Sequence, residues 1–94
     1  MLRVPSVFNI YFSPQALKAI RKANPEMRKR VHELAGILQT EPVPAKRYDV
    51  TKLSGGDGYF RIRLSRYRLQ YFVDWKRKKI QVLNFGLRDE HTYD

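Results

Sequence analysis

The stretch YFRIRLSRYRLQYFV, residues 59–73, alternates apolar and polar side chains with a period of two on both sides of Ser65-Arg66. That period belongs to strands, whose side chains point alternately to opposite faces. Phe60, Ile62 and Leu64 share one face of the first strand, and Arg61 and Arg63 share the other. On the second strand Tyr67, Leu69, Tyr71 and Val73 point inward, while Arg68 and Gln70 point outward. If Ser65-Arg66 is a two-residue turn, one of the registers open to the pair, Leu64 faces Tyr67, Ile62 faces Leu69, Arg61 faces Gln70 and Arg63 faces Arg68. Ser-Arg is a poor pair for a primed hairpin turn, and like charges directly opposite one another destabilise a strand pair. Those two features leave other registers open, and under most of them the arginines share the face away from the core. No carboxylate falls between Tyr59 and Val73 to neutralise them.

On either side of this hairpin the pattern extends into a complete fold. Lys76 to Lys78 forms a turn, and Lys79 to Phe85, with β-branched Ile80 and Val82, forms a further strand. Upstream, Tyr48 to Leu53 reads as extended, and Ser54 to Gly58 is a glycine-rich connector without the lysine and helix start of a nucleotide cradle. Val7 to Phe12 reads as a first strand with Phe8, Ile10 and Phe12 on one face. Ser13-Pro14 and Asn24-Pro25 each combine a capping side chain with a proline suited to the first helical turn, so a helix begins at each. The first helix carries Ala16, Leu17 and Ile20 on one side. The second carries Met27, Val31, Leu34, Ala35 and Leu38, and Pro42 and Pro44 end it. The expected fold class is α+β: an N-terminal strand, a helical hairpin, then an antiparallel β-meander packed on the helices.

Residues 1–94 make one domain, with 43% apolar residues and twelve aromatics (five Phe, six Tyr, one Trp) to build a core. Cysteine is absent, which excludes a disulfide framework and a cysteine-ligated zinc site and suits a reducing cytoplasm. The N-terminus lacks the apolar region and cleavage site of a signal peptide, and no apolar run approaches a membrane span. His32, among Arg30, Glu33 and Lys29, reads as a surface residue, and with His91 it gives no metal spacing. No cofactor is expected.

The charge is the informative total. Nineteen Lys and Arg against nine Asp and Glu give +10, a balance that attracts polyanions. Residues 46–79 carry eleven of the basic residues and three acidic ones, and an acidic tail follows. A solvated outer face mixes signs, whereas an all-positive sheet face suits a phosphate chain, which the planar guanidinium can grip with two bonds.

The run KLSG at 52–55 followed by YFRIRLSRYRLQYFVDWKRKKIQVLNFGLRDEHTY at 59–93 resembles the RelE toxins of the RelE/ParE superfamily. The N-terminal strand and a helical hairpin beginning FSPQALKAIRK agree, and EPVPAKRYDV at 41–50 resembles the archaeal branch. No single motif is very specific; their order and spacing across essentially the whole chain carry the likeness.

The resemblance implies the toxin of a type II toxin–antitoxin system. It implies a metal-independent endoribonuclease that enters the ribosomal A site and cuts the mRNA codon there. The 2′-hydroxyl attacks the neighbouring phosphate, leaving a 2′,3′-cyclic phosphate and a 5′-hydroxyl. The implied partners are a RelB-like antitoxin in a hetero-oligomer, the ribosome with its 16S rRNA, and mRNA, all in the cytoplasm. Carried over by position, the catalytic cluster is Arg61, Arg63, Arg68 and Arg88. Lys52, Arg66, Tyr93 and His91 fall to RNA binding, Tyr93 with a spacing one residue shorter than in the best-known members.

Four guanidiniums could stabilise the charge that builds on a five-coordinate phosphorus. The missing part is a base, because arginine stays protonated and cannot readily take the 2′-hydroxyl proton. The ribosome or water could accept it, orientation and charge stabilisation could carry most of the rate, or His91 beside Glu90 could serve. Two other readings remain: a gyrase-poisoning ParE-like protein, which lacks the basic cluster, and a non-catalytic basic nucleic-acid-binding module.

Overall fold

The computed structural model describes residues 7–87. Its elements run β1 (Asn9–Phe12), α1 (Pro14–Lys22), α2 (Pro25–Thr40), β2 (Asp49–Lys52), β3 (Tyr59–Leu64), β4 (Tyr67–Asp74) and β5 (Lys79–Leu87). The five strands form one sheet in the order β1-β5-β4-β3-β2. β2 to β5 are the expected antiparallel meander, and β1 adds to its far edge parallel to β5. The fold is therefore α+β, with the helical hairpin as the crossover between the first strand and the rest.

Both helix starts follow from their caps. The Ser13 hydroxyl accepts from the Ala16 N–H at 3.0 Å and donates to the Leu83 carbonyl at 2.8 Å, so one side chain starts α1 and ties it to β5. The Asn24 side chain accepts from the Met27 N–H at 2.8 Å. The Arg28 guanidinium donates to the Ala23 and Arg21 carbonyls at 2.6 and 3.3 Å, satisfying acceptors that the end of α1 would otherwise leave open. Among the described residues no helix is long and apolar enough to cross a membrane.

The core lies between the helices and one sheet face. Met27, Val31, Leu34 and Leu38 of α2 are buried against Phe60, Ile62, Leu64, Leu69, Tyr71, Val73, Ile80, Val82 and Phe85 of the sheet. Each such side chain contributes about 1.5–3 kcal/mol on burial. Tyr71 is wholly buried, and its hydroxyl donates to the Pro42 carbonyl at 2.7 Å, pinning the segment after α2 to the sheet. Burial pushes its phenol far above the usual tyrosine range.

Two local expectations need correction, and β5 adds an irregularity. α1 faces inward through Ala16, Ala19 and Ile20, while Leu17 is 37% exposed. Leu17 sits about 100° around the helix from Ala16, at the rim of a narrow inward stripe. The first strand is shorter than expected, because Phe8 bonds to the Gln39 carbonyl of α2 and Val7 is half exposed. Finally, β5 does not alternate throughout: Tyr71 pairs with Val82 but Gln70 with Asn84, leaving Leu83 as an extra residue. This bulge exchanges the faces, so Phe85 enters the core and Asn84 faces outward.

Candidate functional site: an arginine grid on the outer sheet face

The strand registers organise the outer face into rows that cross the sheet. One row runs Asp49, Arg63, Arg68 and Gly86 from β2 to β5. The next runs Thr51, Arg61, Gln70 and Asn84. The β3–β4 register is the one expected from a two-residue turn, with Leu64 opposite Tyr67 and Arg63 opposite Arg68. Ser65 takes the positive φ of 57° that a primed turn demands of its first central residue.

Asp49, Thr51, Arg61, Arg63 and Arg68 line a shallow depression of about 120 Å³. Arg61 and Arg68 are half-buried in it, with their stems on the sheet, and Arg63 is exposed. Arg63 Nε lies 3.3 Å from Asp49 Oδ2. In the second row Asn84 Nδ2 donates to Gln70 Oε1 at 3.1 Å, and Gln15 Nε2 of α1 donates to Asn84 Oδ1 at 2.6 Å. These amides hold the side of the face beside Arg61 in place. Gly86 opposes Arg68 with no side chain, and a Cβ there would meet nothing within 4 Å, so the row is open above β5.

The expected site residues divide. Arg61, Arg63 and Arg68 come together in the depression. Arg66 stands exposed at the tip of the β3–β4 turn. Lys52 does not join them. It pairs with Phe60, whose side chain is in the core, so Lys52 belongs to the helix-side face of the edge strand, where its ammonium lies 3.6 Å from Asp57. Arg88, His91 and Tyr93 lie outside the described residues. Two participants escaped the sequence reading. Asn84 is brought to this face by the bulge, and Asp49 is brought by the β2–β3 pairing. Asp49 had a readable signal, since alternation from core-facing Val50 puts it outward, but only the register sets it beside Arg63.

Two half-buried arginines and one exposed one line a single depression, an arrangement of cations suited to an anionic group. Several of the aromatic side chains pack against one another. Tyr67 stacks on Phe85 at 4.8 Å, Phe60 on Tyr71 at 5.7 Å, and Trp75, 48% exposed, meets Phe8 edge to face at 5.7 Å.

No protein-family model matches the chain. The RelE1 protein of Methanocaldococcus jannaschii is 30% identical over 82 residues, covering 87% of this chain and 91% of that protein. Among solved structures, RelE of the archaeal RelE–RelB complex from Pyrococcus horikoshii superposes with a TM-score of 0.83 at 34% identity, covering 89% of this chain and 98% of that one. The RelBE2 toxin–antitoxin complex of Mycobacterium tuberculosis gives 0.71 at 26% identity, covering 87% and 92%. The isolated E. coli RelE toxin gives 0.68 at 28% identity, covering 88% of each chain. With the order of elements, the arginine grid and this identity over nearly the whole of both chains in agreement, the chain belongs to the RelE family of toxins.

Proposed function

We propose that this chain is the toxin of a toxin–antitoxin pair and a metal-independent endoribonuclease, cutting mRNA in the ribosomal A site by attack of a 2′-hydroxyl on the adjacent phosphate. The observation that carries this reading is the gathering of Arg61, Arg63 and Arg68 around one depression. The 2′-oxygen attacks phosphorus, and the developing negative charge falls among guanidiniums already oriented by the sheet. Arg88 is assigned to the same cluster, and Arg66, His91 and Tyr93 to the surrounding RNA. Lys52, on the opposite face, is assigned to ribosomal RNA rather than to the reacting phosphate.

The solved relatives from Pyrococcus horikoshii and Mycobacterium tuberculosis are bound to RelB-type antitoxins. A chain of net charge +10 calls for an acidic partner of the same kind. That partner would cover the arginine face and keep the toxin off the ribosome in the cytoplasm.

The test is primer extension on mRNA incubated with the purified protein, with and without ribosomes holding an empty A site. Cuts at the A-site codon that need ribosomes, and that fall about 10²–10³-fold in Arg61→Ala, Arg68→Ala or Arg88→Ala, support the reading. Absence of cutting with every substrate overturns it. Gyrase inhibition in its place would identify a ParE-like poison, and RNA binding without cutting would identify a non-catalytic module.

A further inference from the structure

The outer sheet face carries a further row of side chains beside the arginines. A one-sided antiparallel sheet turns polar groups to its open face, and the rows through Arg63 and Arg61 do so. The next row breaks that rule. It pairs Tyr59 of β3 with Phe72 of β4, Phe72 with Gln81 of β5, and Gln81 with Tyr11 of β1. Tyr59 alternates with core-facing Phe60, and Phe72 with core-facing Tyr71 and Val73, so both rings stand on the face of Arg61. The row lies two residues along the strands from Arg61 and Gln70, a step of about 7 Å.

The Tyr59 and Phe72 rings are half-buried, with centroids 4.8 Å apart and planes inclined at 44°. The glycine loop presses on them. At Gly58, with φ at 110°, a Cβ would come within 3.0 Å of the Phe72 ring and 2.7 Å of the Val73 carbonyl oxygen. The chain can pass this close only without a side chain. The flanking groups are polar: Gln81 is exposed beside Phe72, and Gln70 lies between Phe72 and Arg68 on β4. The row ends at Tyr11, 49% exposed, with Lys79 Nζ 5.9 Å from its ring centroid. A protein contact has an apolar core, and two rings set among amides and cations offer little of one. An aromatic pair beside a row of guanidiniums matches a single-stranded nucleic acid, whose bases have faces to stack and whose phosphates need cations.

We propose that Tyr59 and Phe72 form a base-stacking subsite for single-stranded RNA: an unpaired base packs on this ring pair while Arg61 holds a phosphate of the same strand. The subsite deepens the ribonuclease reading, on which it rests, and adds a stacking position to the one assigned to Tyr93. Gln81 presents an amide, donor and acceptor together, to the edge of the base.

The experiment is fluorescence-anisotropy binding of a labelled strand of adenosine and uridine to the purified chain. The strand has about ten nucleotides, within the span of one single-strand-binding domain. A second strand carries the same phosphates with abasic sugars. The double variant Tyr59→Leu, Phe72→Leu keeps apolar cover over the sheet and removes the rings. It should bind the intact strand about 5–150-fold more weakly and the abasic strand as the wild type does. Its salt dependence should match the wild type's, because no phosphate contact has gone, whereas Arg61→Gln should lower the slope by about 0.7. Wild-type protein irradiated with an iodouridine-substituted strand should yield adducts on Tyr59 or Phe72, a result independent of how the variant folds. Equal affinities of variant and wild type for the intact strand would overturn the subsite, leaving the rings as a protein contact or a cover for the sheet. An equal loss on the abasic strand would overturn it too, since the rings would then act by placing the arginines. Adducts confined to other residues would do the same. A chain that binds neither strand overturns the subsite, while A-site cleavage on ribosomes tests the ribonuclease reading separately. Cutting there at an unchanged rate and affinity in the double variant leaves that reading standing without the subsite.

Discussion

Arg63 and Arg68 stand directly opposite one another on β3 and β4, two like charges in a single cross-strand pair. Such a pair costs stability, and the fold offsets part of it by setting Asp49 on the other side of Arg63, 3.3 Å from its Nε. Arg68 has no carboxylate within ion-pairing distance among the described residues, so the strain falls on it. Arg68→Gln should raise stability by about 0.2–1 kcal/mol at low salt. The gain should shrink in about 1 M salt, where the Debye length is near 3 Å. Thermal melting at the two ionic strengths checks this, and a lower melting temperature for the variant at low salt would contradict it. The sheet thus gives up stability where it gathers cations, as functional sites commonly do.

The buried Tyr71 phenol supplies both a hydrogen bond and a pH signature. Tyr71→Phe leaves the Pro42 carbonyl without its 2.7 Å donor and should cost about 1–2 kcal/mol at neutral pH. In the fold, burial holds the phenol protonated well above the usual tyrosine range. Below pH 10 folded and unfolded chains are both protonated there, and the contribution is complete. Above about pH 10 the unfolded chain releases its proton first, so stability falls by up to about 1.4 kcal/mol per pH unit. Urea unfolding at pH 9 and 11 should show a smaller decline for the Phe variant than for the wild type.

The two helix caps should differ in weight. Asn24→Ala removes one cap, for a loss of about 1 kcal/mol. Ser13→Ala removes the same kind of cap and also the bond to the Leu83 carbonyl at the bulge, for about 2 kcal/mol in total. Denaturant titration of both variants gives the order directly, and equal losses would mean that the tie to β5 contributes nothing.

Lys52 and Arg61 lie on opposite faces of the same sheet edge. Lys52→Gln should therefore leave the maximal cleavage rate within about threefold of wild type, while Arg61→Gln should lose about 100-fold. Lys52→Gln should act on ribosome binding instead, weakening it most at low salt. Saturation curves of cleavage against toxin concentration separate the two effects. A large loss of maximal rate on changing Lys52 would place it at the reacting phosphate despite its face.

What the sequence determined by itself is local. Alternation across residues 59–73 sets two strands and turns Arg61, Arg63 and Arg68 outward, while the pairing of the two strands chose among the registers left open. Ser13-Pro14 and Asn24-Pro25 set both helix starts. Each of these signals lies within a few residues of what it specifies, because side-chain direction, capping and turn geometry are short-range. Tertiary structure decided the rest. It laid β1 parallel to β5, inserted Leu83 as a bulge that exchanges Asn84 and Phe85, sent Lys52 to the helix side, and set Asp49 against Arg63. These depend on which strand neighbours which, and that is settled by burying Phe60, Ile62, Tyr71, Val82 and Phe85 against α2 all at once. No local pattern encodes that sum, so the outward direction of the arginines could be read from the chain while the placing of Asp49 beside Arg63 could not.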